Sequence, residues 1–129
     1  MFTDEKNKMN WIHIKSEDMI DDIKKESYKN RVLIFKYSPK CSINMLMMNM
    51  LEREWNCSEL ENIKTYFINI IAYRHISNMI ESEFDVYHES PQVLIIENGK
   101  SIHDVSHGKI RYENLKEVLK CEKDNNVLK

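Results

Sequence analysis

Two glycines, two prolines and three cysteines in 129 residues exclude several kinds of chemistry at once. With so few glycines there is no GxxxxGK or GxGxxG segment, so no loop is available to cradle phosphates, and nucleotide-dependent catalysis is set aside. Three scattered cysteines do not make the disulfide framework of a small secreted domain; in a reducing compartment they read as thiols. No segment approaches the roughly 20 apolar residues that span a bilayer. The opening stretch "MFTDEKNKMNW" is charged and has no apolar run, so no secretory leader is expected. Neither sign of charge dominates. Nineteen basic against 21 acidic residues give a net charge of −2, which offers no electrostatic ground for a nucleic-acid or membrane partner. The expected location is the cytoplasm.

What is present is an apolar fraction of 42%, enough to build a core. The length suits a single domain over residues 1–129, with a core of about 10–121 and frayed ends, including the tail "EKDNNVLK". "NWIHI" (10–14) reads as a short first strand. Ser16 then reads as an N-cap, with Glu17 and Asp18 in the first turn and Met19, Ile20, Ile23 and Tyr28 on the apolar side of a helix. "RVLIFKY" is β-branched, aromatic and nearly continuous in its apolar character, which suits a buried parallel strand. A helix follows over about Cys41–Trp55. "KTYFINII", from Lys64, is a second central strand, and Ile76, Met79, Ile80 and Phe84 mark a helix over Tyr73–Val86.

After "YHESP" the period changes. "QVLIIENGKSIHDVSHG" reads as two strands joined at Asn98-Gly99, a dipeptide that favours a tight hairpin. A last helix is expected over about Arg111–Cys121, with Tyr112, Leu115, Val118 and Leu119 on one side. The order β-α-β-α-β-α-β-β-α, with parallel crossovers first and an antiparallel hairpin last, gives a central mixed sheet flanked by helices. That is the order of a thioredoxin-like fold, of α/β class.

Cys41 follows the turn "YSPK" and falls at the opening of the second helix. Unpaired N–H groups there, from about Ile43 and Asn44, can donate to an anion. The positive end of a helix favours a thiolate by roughly 0.3–1 kcal/mol, and Lys40 adds a little. Cys41 is therefore the expected nucleophile. A dithiol oxidoreductase carries a second cysteine three residues on, which expels a mixed disulfide. Here that position holds Asn44, so Cys41 has to work alone. Cys57 is sixteen residues away, roughly 24 Å along a continuous helix, and a Cys41–Cys57 disulfide is not expected. Met45, Met47, Met48 and Met50 read as core filling or a partner-binding face rather than a soft-metal site. The histidines, including His103 and His107, show no zinc-type spacing with cysteines.

On the segments "FKYSPKCSIN", "HESPQVLIIENGK" and "SHGKI", in this order and spacing, the chain resembles the YtxJ-like bacillithiol-system family, the monothiol bacilliredoxins of type C. The resemblance covers roughly Trp11 to Lys120. It implies a small cytosolic thioredoxin-fold protein that removes bacillithiol from mixed disulfides on other proteins. By position, Cys41 matches the nucleophile and Pro91 the cis-proline that faces it, with Ser90 offering backbone hydrogen bonds to the bound partner. Lys40, Ser42, Asn44, Ser90 and Pro91 are the expected substrate contacts. Ser42 stands where the family usually has proline, and Asn44 where it usually has serine. The implied co-substrate is free bacillithiol, the implied partners S-bacillithiolated proteins, and no bound cofactor or metal is expected. Two other readings stay open: an iron–sulfur carrier like the monothiol glutaredoxins, although "CSIN" lacks the glycine of their CGFS site, and a non-catalytic thioredoxin-fold binding module.

Overall fold

Alternation along the two central strands divides the molecule into two cores. In the computed structural model, which describes residues 9–121, β2 (Val32–Tyr37) and β4 (Gln92–Glu97) lie side by side and antiparallel. Successive side chains of a strand point to opposite faces. Val32, Ile34, Leu94 and Ile96 accordingly join one apolar cluster, and Leu33, Phe35, Val93 and Ile95 another. The first cluster is closed by α1 (Asp18–Glu26) and α3 (Arg74–Phe84), through Ile20, Ile23, Ile76, Ile80 and Phe84. The second is closed by α2 (Ser42–Glu54) and α4 (Tyr112–Lys120), through Met47, Leu51, Leu115 and Leu119. Each buried aliphatic side chain of this kind contributes roughly 1.5–3 kcal/mol. A strand buried on both faces needs apolar residues at nearly every position, which is why "VLIF" and "VLII" run without alternation.

The remaining strands are β1 (Trp11–His13), β3 (Lys64–Asn69) and β5 (Lys100–Ser106), and the sheet order is β1-β3-β2-β4-β5. β1 and β2 both run parallel to β3, while β4 and β5 are antiparallel to their neighbours. The expected hairpin is present. Asn98 (φ 53°) and Gly99 (φ 78°) both adopt positive φ, the conformation a two-residue hairpin turn requires. No helix among the described residues is long and apolar enough to cross a membrane.

Two expectations fail around α1. Ser16 is not the N-cap: that position falls to Glu17, and the Ser16 carbonyl instead accepts the Met19 N–H at 3.2 Å in a preceding turn. Tyr28 does not sit on the apolar side, because α1 ends at Glu26 and the chain turns to meet the hairpin. There the Gly99 N–H donates to Ser27 Oγ at 2.9 Å, the Asn98 N–H donates to the Ser27 carbonyl at 3.0 Å, and the exposed Tyr28 ring lies over Gly99. The other element ends move by one or two residues, as helix and strand ends do. The expectations of frayed ends fall outside the described residues.

Candidate functional site

β2 and β3 are parallel and β4 runs the other way, so the connections 38–41 and 70–73, the residues just before β4 (89–91) and the corner 107–109 meet at one end of the sheet. Cys41 lies on the first. It is the N-cap residue of α2, with extended backbone (φ −127°, ψ 124°), and it is exposed. Its side chain makes no cap hydrogen bond. The Asn44 N–H, expected as a donor to the sulfur, is instead directed to the Cys41 carbonyl at 3.1 Å, leaving Ser42 and Ile43 as the first-turn donors.

The turn before Cys41 is held from below. Asn44 Oδ1 accepts the Ser38 N–H at 2.8 Å, and Nδ2 donates to the Cys41 carbonyl at 3.4 Å. Ser38 Oγ in turn accepts the Lys40 N–H at 3.3 Å. Asn44 is 0% exposed. The expectation that it touches substrate is therefore corrected: its side chain is engaged on both sides of the "SPK" turn, under the cysteine. A short side chain carrying both donor and acceptor is what bridging a backbone N–H and a backbone carbonyl requires.

Lys40 and Ser42 are exposed on either side of Cys41. The Ser90–Pro91 bond is cis, as expected. Pro91 is buried and Ser90 half-buried. The register pairs Lys36 with Gln92, so Ser90 and Pro91 come level with Tyr37 and Ser38, at the foot of the cysteine turn. The corner His107–Lys109, a single 3-10 turn packed against α2, closes the other side. His107 takes a left-handed conformation (φ 58°), its N–H donates to the Pro91 carbonyl at 2.9 Å, and its Nε2 lies 3.3 Å from Glu89 Oε1. His107 and Glu89 were not foreseen as neighbours of this site. The only sequence signal was the "HG" pair, which marks a bend without saying what it meets.

Part of the rim is apolar. Of the six large hydrophobic side chains exposed among the described residues, three belong to segments at this end: Met45 (55%), Leu46 (51%) and Ile71. The Met-rich helix is thus split. Met47 is buried in the second core and Met48 and Met50 pack against it, while Met45 and Leu46 face solvent one turn from Cys41.

No disulfide links the three cysteines. Cys57 lies beyond the far end of α2, whose thirteen residues rise about 20 Å, so it is out of reach of Cys41. The arrangement offers one accessible thiol at a helix N-terminus with no neighbour able to resolve a disulfide formed on it. Among the described residues no group of three or more His, Cys, Asp or Glu side chains could hold a metal ion.

Comparison with known proteins bears on family and fold. Residues 12–115 match the family of the monothiol bacilliredoxin BrxC. Among solved structures, a candidate oxidoreductase with a thioredoxin fold superposes with a TM-score of 0.69 at 25% identity, over 81% of this chain and 89% of that one. A mutant thioredoxin from Halobacterium salinarum gives 0.65 at 14% identity, over 95% and 97% of the two chains. Thioredoxin O1 from Arabidopsis thaliana, in its oxidised state, gives 0.66 at 16%, over 84% and 96%. The last two establish the fold alone, and that fold is thioredoxin-like.

Proposed function

The chain belongs to the monothiol bacilliredoxin family, and from that premise we propose that it removes bacillithiol from mixed disulfides on other proteins, with Cys41 as the nucleophile. A role in thiol redox chemistry follows from family and fold together. One observation carries the finer reading. Cys41 is exposed at the start of α2, and the place of a resolving cysteine is taken by a buried amide.

The reaction is thiol–disulfide exchange. The Cys41 thiolate attacks the bacillithiol sulfur of a blocked protein; a new S–S bond forms to Cys41 while the old one breaks, and the protein leaves as a thiolate that takes up a proton. Nothing is oxidised or reduced overall in this step. A second, free bacillithiol then attacks the adduct, releasing the bacillithiol disulfide and restoring Cys41. In this reading Lys40, Ser42 and Ser90 meet the small thiol, while Pro91 and the backbone of Ser90 take the partner chain. Bacillithiol is a co-substrate here, and no resident cofactor is required. The partners are S-bacillithiolated proteins of the cytoplasm.

The test compares thiols. A target blocked with bacillithiol and the same target blocked with glutathione are each restored by the protein, and second-order rates are measured. Bacillithiol is expected to leave faster. Faster release of glutathione overturns the bacillithiol assignment and leaves the monothiol mechanism in place.

A further inference from the structure

Inside the apolar strand β2 stands one charged residue, Lys36. It shares the strand face of Val32 and Ile34, on the α1/α3 side of the sheet, with Gln92, Leu94 and Ile96 of β4 beside it. Its side chain is 0% exposed. Among the described residues its Nζ has a single hydrogen-bond acceptor, Gln92 Oε1 at 3.1 Å, and no carboxylate comes within ion-pair distance. Burial lowers its pKa from 10.5 to about 8, with Glu81 and Glu89 pulling more weakly the other way. A lysine in such a place opposes folding, and an aliphatic side chain of similar length would fill the same space.

The hydrogen bonds lead to the site. An ammonium can only donate, so it forces the Gln92 side chain to turn its oxygen inward and leaves the NH2 group for another acceptor. That acceptor is the Tyr87 carbonyl, at 3.0 Å from Gln92 Nε2. From α3, Glu81 Oε2 accepts the His88 N–H at 3.1 Å. The segment Tyr87–Ser90 is thereby held at two backbone groups, the Tyr87 carbonyl and the His88 N–H. Gln92 is itself buried, so its orientation cannot be set by solvent.

We infer that Lys36 is a positioning residue for thiol exchange: by orienting Gln92 it holds the Tyr87–Ser90 segment against which the blocked protein docks. The inference rests on the exchange reaction proposed above for the meaning of that segment, while the hold itself is independent of it.

Two variants separate this from a packing role. Lys36→Met removes the ammonium at nearly constant volume. Gln92→Glu keeps an acceptor for Lys36 but has no donor for Tyr87. In both, amide hydrogen exchange at residues 87–90 is expected to accelerate by about tenfold, the loss of one buried hydrogen bond. Release of the blocked target is expected to slow by a similar factor, while alkylation of Cys41 by iodoacetamide stays within about twofold, because its turn is held separately by Asn44. Unchanged exchange at 87–90 in either variant overturns the inference. So does a loss of protection spread through β2 and β4, which makes Lys36 a fold residue only. If the unmodified protein releases no thiol from any target, the proposed function fails, and hydrogen exchange still decides whether Lys36 holds the segment.

Discussion

On the α2/α4 side of the sheet the core runs through Leu33, Phe35, Val93 and Ile95 and ends below Asn44; on the α1/α3 side it runs through Val32, Ile34, Leu94 and Ile96 and ends at Lys36 and Gln92. Each face finishes, at the same end of the strands, in a buried polar side chain that bonds the backbone of a loop. Asn44 holds the turn that carries Cys41. Lys36, through Gln92, holds the segment that precedes Pro91. The two halves of the site are thus supported from opposite layers of the molecule. The difference between the supports is charge. An amide satisfied on both sides is indifferent to pH, whereas a sealed ammonium with one acceptor is not.

The largest effect expected from that difference is in stability against pH. An unfolded lysine keeps its proton to about 10.5, while Lys36 in the fold gives it up at about 8. Below about 8 both states are protonated and the burial penalty is fully present; between the two values the unfolded chain binds more protons, so stability rises with pH. The groups around the ammonium are Glu81 from α3, with Glu89 and His88 from the segment before Pro91; His88 is itself held below its ordinary pKa by burial and by Lys36. Denaturant unfolding at pH 7.5 and pH 10.5 is expected to show the unmodified protein gaining about 3 kcal/mol on Lys36→Met across this range. An equal change in both proteins would mean that the lysine is hydrated and the two faces do not differ in this way.

A smaller effect is expected on the other face. Asn44→Ala leaves the buried Ser38 N–H without an acceptor, at a cost of about 1–3 kcal/mol. The urea midpoint should fall by the same amount at pH 7.5 and pH 10.5, and alkylation of Cys41 should change along with it as the turn loosens. Loss of stability with alkylation untouched would detach Asn44 from the nucleophile and reduce it to packing.

Much of this was legible in the chain itself. The uninterrupted "VLIF" and "VLII" runs mark strands buried on both faces, Asn98-Gly99 marks the hairpin, and the break at "SPK" places Cys41 at a helix start. Those signals are local: period, turn chemistry and capping. What was not legible depends on contacts between distant segments. Asn44 three residues into a helix reads as an exposed polar residue, and only its packing over Ser38 shows it to be internal. The lysine in "VLIFKY", at the position parity of Val32 and Ile34, is a local signal that a charge enters the core, but what it meets there depends on the pairing of β2 with β4. Tyr28 failed for the same reason: the hairpin turn meets the chain at Ser27, where α1 has stopped, and the sequence of α1 does not show that approach.

If Cys41 acts alone in taking a small thiol from a blocked protein, it carries that thiol itself. Intact-mass and peptide mapping of the protein after incubation with a bacillithiol-blocked target check this. The predicted result is one bacillithiol on the Cys41 peptide, a target with its thiol restored, and no adduct or release with Cys41→Ser. An adduct on Cys57 or Cys121, or a target restored by the Cys41→Ser variant, would contradict it.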